Sequence, residues 1–116
     1  MKRGNIWTVA GGTDYAGKPR PAVIVQDDSF SINSITVCIF TSTAIEAPLL
    51  RPLVEPSARN GLRTACRLMV DKISTVPRSK LGIRIGRLED EDIDQLNQAM
   101  LVFFGLTASS QAKDPA

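Results

Sequence analysis

Two short runs of β-branched and apolar residues dominate the pattern of the chain. They are Arg20-Pro21-Ala22-Val23-Ile24-Val25-Gln26-Asp27 and Ile35-Thr36-Val37-Cys38-Ile39-Phe40-Thr41, and their composition is that of buried central strands. The polar stretch 28–34 between them is made of turn formers. Before them, residues 2–9 alternate loosely (Ile6, Trp7, Val9) and predict a first strand, followed by a glycine-rich loop over residues 10–19. After them, residues 49–54 are apolar but carry Arg51 and Pro52, and a proline confines a strand to the sheet edge. Asn60-Gly61 signals a turn. Residues 62–70 predict another strand that runs on to 76, residues 77–82 a short turn or 3₁₀ piece, and residues 83–88 a half-buried strand with Arg84 outward. From Glu89 the period changes: Ile93, Leu96, Met100, Phe103, Phe104 and Leu106 recur at helical spacing, which predicts an amphipathic helix of about 16 residues. Its acidic start suits the positive end of the helix dipole, and Gly105 marks its end. The expected architecture is mainly β with a C-terminal α element: five or six strands in a small antiparallel barrel-like sheet, with one helix packed on it.

Length and composition refine this picture in three places. With 116 residues, 43% of them hydrophobic, the chain supports one core, so residues 1–108 are expected to form a single domain and 109–116 a polar, frayed tail. No apolar run approaches the ~20 residues that span a bilayer, and Met1-Lys2-Arg3-Gly4-Asn5 is not followed by a signal-peptide pattern; the expected location is the cytoplasm. Finally, the net charge of +2 hides an asymmetry. Residues 1–88 hold 13 Lys and Arg against 6 Asp and Glu, whereas residues 89–106 hold no cation and 5 acids. A basic body with one acidic element suits an anionic partner.

The candidate chemistry is narrow. There is no histidine and no CxxC among the 116 residues, which argues against a structural zinc site and removes the commonest general base near neutral pH. Cys38 and Cys66 sit in apolar runs and read as reduced, packed thiols. The glycine-rich loop is not a P-loop, because Lys18 is followed by Pro19. No metal and no cofactor are expected. If the two central runs pair antiparallel, the start of one lies beside the end of the other, and Arg20 comes close to Thr41. A five-donor guanidinium beside a hydroxyl is a phosphate site in outline; taken alone, the same residues also fit a solvated edge arginine and a strand cap. Lys18, Arg51, Arg59, Arg63 and Lys72 are candidates for phosphate or base contacts, and Tyr15 for stacking on a base. Trp7 fits a core or dimer-interface position, and Phe103, Phe104 and Leu106 fit either a dimer interface or core filling.

Several of these motifs together resemble the MazF/PemK toxins, the endoribonucleases of type II toxin–antitoxin modules. The resemblance rests on the opening Arg3-Gly4-Asn5-Ile6-Trp7, the glycine-rich loop, the Arg20-to-Asp28 element and the strand ending at Thr41-Ser42. It continues through Leu68-Met69-Val70-Asp71-Lys72-Ile73-Ser74-Thr75-Val76, Lys80-Leu81, Gly86-Arg87-Leu88 and the terminal helix, so that it covers about residues 2–106. It implies a homodimer with an SH3-like, PemK-like barrel that cleaves single-stranded RNA at short sequences without metal, and a cognate antitoxin whose disordered tail lies in the RNA groove. By position it makes Arg20 and Thr41 catalytic, with Ser42 beside them on the RNA path. The acid expected five residues before the arginine is replaced here by Tyr15, and Asp14, one place further back, is the nearest candidate to take a proton. Sequence preference is expected from loops 10–19, 42–48 and 55–63. An alternative of another class is a CcdB-like gyrase poison, which shares this fold and acts through its last helix without catalysis. That toxin ends in Trp-Gly-Ile, however, whereas here Phe104-Gly105-Leu106 is followed by a polar tail.

Overall fold

The longest strand is the one with the cleanest apolar alternation. Ile35, Val37, Cys38 and Phe40 are buried along β3 (Ser34–Thr41), and every other strand is placed relative to it. The structure is a computed structural model and describes residues 1–10, 18–45, 47 and 49–107. Within these residues the order is β1 (Asn5–Val9), β2 (Arg20–Ile24), β3, β4 (Leu53–Val54), β5 (Cys66–Leu68), β6 (Ser74–Pro77), β7 (Leu81–Arg87) and α1 (Asp90–Phe103). All pairings are antiparallel. The sheet runs β4-β5-β3-β2-β1-β7, with β6 also paired to β3. This is the predicted class, a mainly β half-barrel with one C-terminal helix. Strand β4, which directly follows Pro52, lies at the sheet edge, where a neighbouring residue without an N–H does least harm.

One stretch departs from the expected pattern. Residues 62–76 read as a single running strand, but it is formed as two: β5 pairs with the Phe40–Thr41 end of β3 and β6 with its Ser34 end. A 3₁₀ turn over Val70–Lys72 separates them. The turn buries Val70 and swings Asp71 toward Arg51, a non-local ion pair that local periodicity cannot encode.

The sheet buries both faces. On one, Ile6, Val23, Cys38, Phe40, Val54, Leu68 and Val70 meet Leu96 and Ala99 of α1. On the other, Val9, Ala22, Ile24, Ile35 and Val37 form a second cluster, against which Trp7, Ile39, Val76 and Leu81 pack. Burial explains why the Cys38 thiol is pushed up to about 12, with Asp71 adding to the effect; it is a packed, unreactive group. The indole Nε1 of Trp7 is buried and has no hydrogen-bond partner among the described residues.

Helix α1 is 14 residues long and begins with Asp90, Glu91 and Asp92 in its first turn. Gly105, at φ +73°, closes it: the Gly105 N–H donates to Val102 O and the Leu106 N–H to Leu101 O, the paired bonds of a Schellman end. Phe103 and Phe104 stack edge-on at 5.6 Å between centroids, and with Leu106 they are exposed. They do not fill the core. The 55–61 loop is fixed by Asn60, which is fully buried. Its Oδ1 accepts from the Ser57 and Leu62 N–H groups at 2.9 Å, and its Nδ2 donates to Glu55 O at 2.8 Å. Gly61 follows at φ +70°, so close to β7 that a side chain there would run into the Ile85 carbonyl. The Asn-Gly turn is thus a packed corner and not a hairpin tip.

Candidate active site

Strand register builds the site. β2 and β3 pair as Ala22↔Ile39, Val23↔Cys38 and Ile24↔Val37. The paired residues end at Ala22↔Ile39; extending the same register by two residues along both strands brings Arg20 to the level of Thr41. Directly opposed residues share a sheet face, with Cα atoms about 4.5–5.5 Å apart. On its other side Arg20 is paired with Val9 of β1, while Thr41 is paired with Arg67 of β5 and Arg67 with Leu53 of β4. A single row therefore crosses the sheet: Leu53, Arg67, Thr41, Arg20, Val9. Its middle is a threonine between two arginines, and all three residues are half-buried.

The hydroxyl is held in place. Thr41 Oγ1 accepts the Thr43 N–H at 3.2 Å, which uses a lone pair and leaves its O–H proton able to turn toward a ligand. Ser42 follows, exposed, and Lys18 stands exposed two residues before Arg20. Arg20 and Arg67 both carry further interactions within the fold. One of the Arg67 bonds runs from Nη1 to Arg51 O at 3.3 Å. Arg67 escapes sequence reasoning: the apolar alternation of Cys66 and Leu68 implies that it faces outward, but nothing local says that it comes to rest beside Thr41.

The other candidates are distributed differently. Arg51 is tied to Asp71 by two bonds, Nε to Oδ1 at 2.7 Å and Nη2 to Oδ2 at 3.0 Å. This fork holds the Asp71 carboxyl below the usual carboxylate range and raises Arg51. Arg59 lies 3.5 Å from Glu89 and 3.9 Å from Asp90. Its loop is bonded to the Arg87 end of β7, six residues (about 20 Å by strand rise) from Leu81, which pairs with Val9 in the row. Arg63 and Lys72 are exposed, the latter on the 3₁₀ turn beside Asp71. Asp14 and Tyr15 lie outside the described residues. A cavity of about 550 Å³ opens at the start of α1, lined by Arg59 and by Glu55, Glu89, Asp90, Glu91 and Asp92. Its carboxylates repel a polyanion; it also touches Leu53, the end of the row farthest along the sheet from Arg20. Among the described residues no cluster of three or more His, Cys, Asp or Glu could hold a metal ion, and no helix is long and apolar enough to cross a membrane.

A forked cation and a hydroxyl donor carried on neighbouring strand ends are the groups that bind and polarise a phosphate. Residues 2–104 match the family of PemK-like, MazF-like toxins of type II toxin–antitoxin systems. The chain is 49% identical to the "Probable endoribonuclease MazF" of Mycolicibacterium smegmatis, over 91% of this chain and 98% of that one. Among solved structures, the Mycobacterium tuberculosis toxin MazF-mt6 is similar at 25% identity with a TM-score of 0.75, covering 90% of this chain and 99% of that one. The fold is also shared, at 20% identity, a TM-score of 0.78 and coverage of 94% and 99%, with a mycobacterial endoribonuclease solved in complex with its cognate antitoxin. The chain belongs to the PemK/MazF family of toxins of type II toxin–antitoxin systems.

Proposed function

We propose that the chain is an endoribonuclease toxin that cuts single-stranded RNA at short sequences, without metal, and is neutralised by a cognate antitoxin. The observation that carries the reading is the Arg20–Thr41 row, found in a chain of a toxin family whose relatives bear the endoribonuclease name. RNA supplies its own nucleophile. The 2′-hydroxyl attacks the adjacent phosphorus, the P–O5′ bond breaks, and negative charge builds on the non-bridging oxygens. A protein that positions the phosphate and donates to those oxygens stabilises the transition state, each preorganised donor being worth about 10²–10³ in rate. Arg20 clamps the phosphate and meets the developing charge; Thr41 donates a hydrogen bond that keeps attack in line. A guanidinium is a poor proton acceptor, so the 2′-hydroxyl proton goes to another group, with Asp14 the candidate. The products are a 2′,3′-cyclic phosphate and a 5′-hydroxyl.

Lys18, Ser42, Arg63 and Lys72 would contact flanking phosphates or bases, and Tyr15 would stack on a base. Arg51 and Arg59, whose guanidiniums are engaged by carboxylates, would act by shaping the surface. The active form is a homodimer in the cytoplasm, and the antitoxin covers the RNA path. The test is digestion of a long single-stranded RNA by the purified protein in EDTA. Discrete cuts with 5′-hydroxyl ends, absent with Arg20→Ala, are expected; intact RNA would overturn the reading and favour a protein target.

A further inference from the structure

We infer that Arg67 is a second phosphate-binding residue, reaching the RNA backbone across Thr41 from the side opposite Arg20. The inference rests on the ribonuclease reading above and extends it to a residue outside the arginine–threonine pair. Three observations carry it. Thr41 and Arg67 are register partners, and Arg67 is itself opposed by Leu53, so its side chain lies on the sheet face of Thr41 and Arg20. Neighbouring strands lie about 4.8 Å apart, which puts the Arg20 and Arg67 backbones roughly 10 Å apart with Thr41 midway. Two arginine side chains span that interval easily and can grip adjacent phosphates of one strand. Lastly, the position is braced. The Arg67 guanidinium donates to Arg51 O at 3.3 Å, while the Arg51 side chain is pinned by its two bonds to Asp71. The Arg67 backbone thus lies between two strands, and its guanidinium is bonded on the β4 side to the Arg51 carbonyl.

A phosphate contact of this kind adds to binding before it adds to chemistry. Each phosphate neutralised on a single strand contributes about 0.7 to the slope of log affinity against log salt. Replacing Arg67 should therefore weaken binding on the order of fivefold near physiological salt, the scale of one close charge pair in a watery setting, and should lower the salt slope by about 0.7. The phosphate already held by Arg20 and Thr41 keeps its in-line geometry, so KM rises more than kcat falls.

The test is fluorescence-anisotropy titration of a mixed-sequence 2′-O-methyl single-stranded RNA, which cannot be cut, at several salt concentrations. It compares wild type, Arg67→Gln, Arg67→Lys and Arg78→Gln, the last removing an equal charge near the Ser34 end of β3, where Arg78 bonds the Asn33 and Ile32 carbonyls. The expected result is weaker binding and a lower slope for Arg67→Gln, partial recovery for Arg67→Lys, and wild-type behaviour for Arg78→Gln, with melting temperatures unchanged. Wild-type affinity and slope in Arg67→Gln would overturn the inference. So would a loss that Arg78→Gln reproduces, or one that Arg67→Lys leaves unrepaired and a fall in melting temperature accompanies. Wild type that binds the strand yet leaves ordinary RNA intact would defeat the nuclease reading and keep the Arg67 contact; wild type that cuts RNA alongside an Arg67→Gln that binds normally would do the reverse.

Discussion

Two ends of this small domain carry arginines, and they differ in what surrounds the guanidinium. At the start of α1, Arg59 and Arg87 sit within 3.2–3.9 Å of Glu89 and Asp90. Acids gathered at a helix N-terminus complement its dipole, and the nearby arginines then balance the acids. Such exposed pairs are worth about 0–1 kcal/mol each, and they leave little positive field for an outside anion. Across the sheet, Arg20 and Arg67 lie in one strand row with Thr41, and both carry further interactions within the fold. The same side chain is a surface counter-ion in one place and, on the proposed reading, a phosphate clamp in the other. Counting cations along the chain cannot separate the two; strand register and the position of the acids can.

Arg20→Ala tests this contrast most severely. RNA cleavage should fall by about 10²–10³ in single-turnover rate, with the melting temperature within about 2 °C of wild type, since Arg20 lies at the end of β2 and no buried apolar group is lost. Retained cutting would erase the distinction between the two ends. Next in size is Asp71→Asn, which breaks the forked bond to Arg51 and should cost about 1–3 kcal/mol in urea unfolding at neutral pH. The fork depresses the folded-state pKa of Asp71, so its stabilisation is present above the unfolded carboxylate pKa of about 3.9 and is lost as pH falls through the lower folded value. The gap between wild type and Asp71→Asn should close in acid. Asp92 should behave with the opposite sign. Burial first, then Glu91 and Glu89, raise its carboxyl; the folded protein prefers it protonated, and ionisation opposes folding as pH rises through its raised value. Asp92→Asn should therefore compare best with wild type at neutral pH, by about 0.5 kcal/mol, and lose that advantage as pH falls toward the unfolded value. The smallest effect belongs to Arg59→Gln: a stability change of at most about 1 kcal/mol, and a loss of RNA affinity below that of Arg67→Gln in the same titration. The reverse order would move the RNA path to the α1 end.

Much of this molecule can be read from residue pattern. β-branched runs mark β2 and β3 because both bury apolar side chains on the two sheet faces. The 3.6-residue spacing marks α1 because only one stripe of it, around Leu96 and Ala99, is buried. Arg51-Pro52 points to an edge strand, and β4 is one. The pattern fails where a long-range partner decides. The strand-like stretch around Val70–Lys72 bends into a 3₁₀ turn, where Asp71 engages Arg51 from twenty residues away. Similarly, Arg20 and Thr41 are placed together by antiparallel pairing of neighbouring runs, a short-range inference, whereas Arg67 reaches the same row only through the register between β3 and β5, which no local periodicity records.

The central claim is that Arg20 and Thr41 act on one phosphate. A double-mutant cycle with Arg20→Lys, Thr41→Val and the double variant, read by single-turnover cleavage of one RNA in EDTA, addresses it directly. Groups that grip the same phosphate act as a unit, so the double variant should be little slower than the slower single variant. Rate losses that simply multiply would mean that the two residues work independently, and would contradict a shared site.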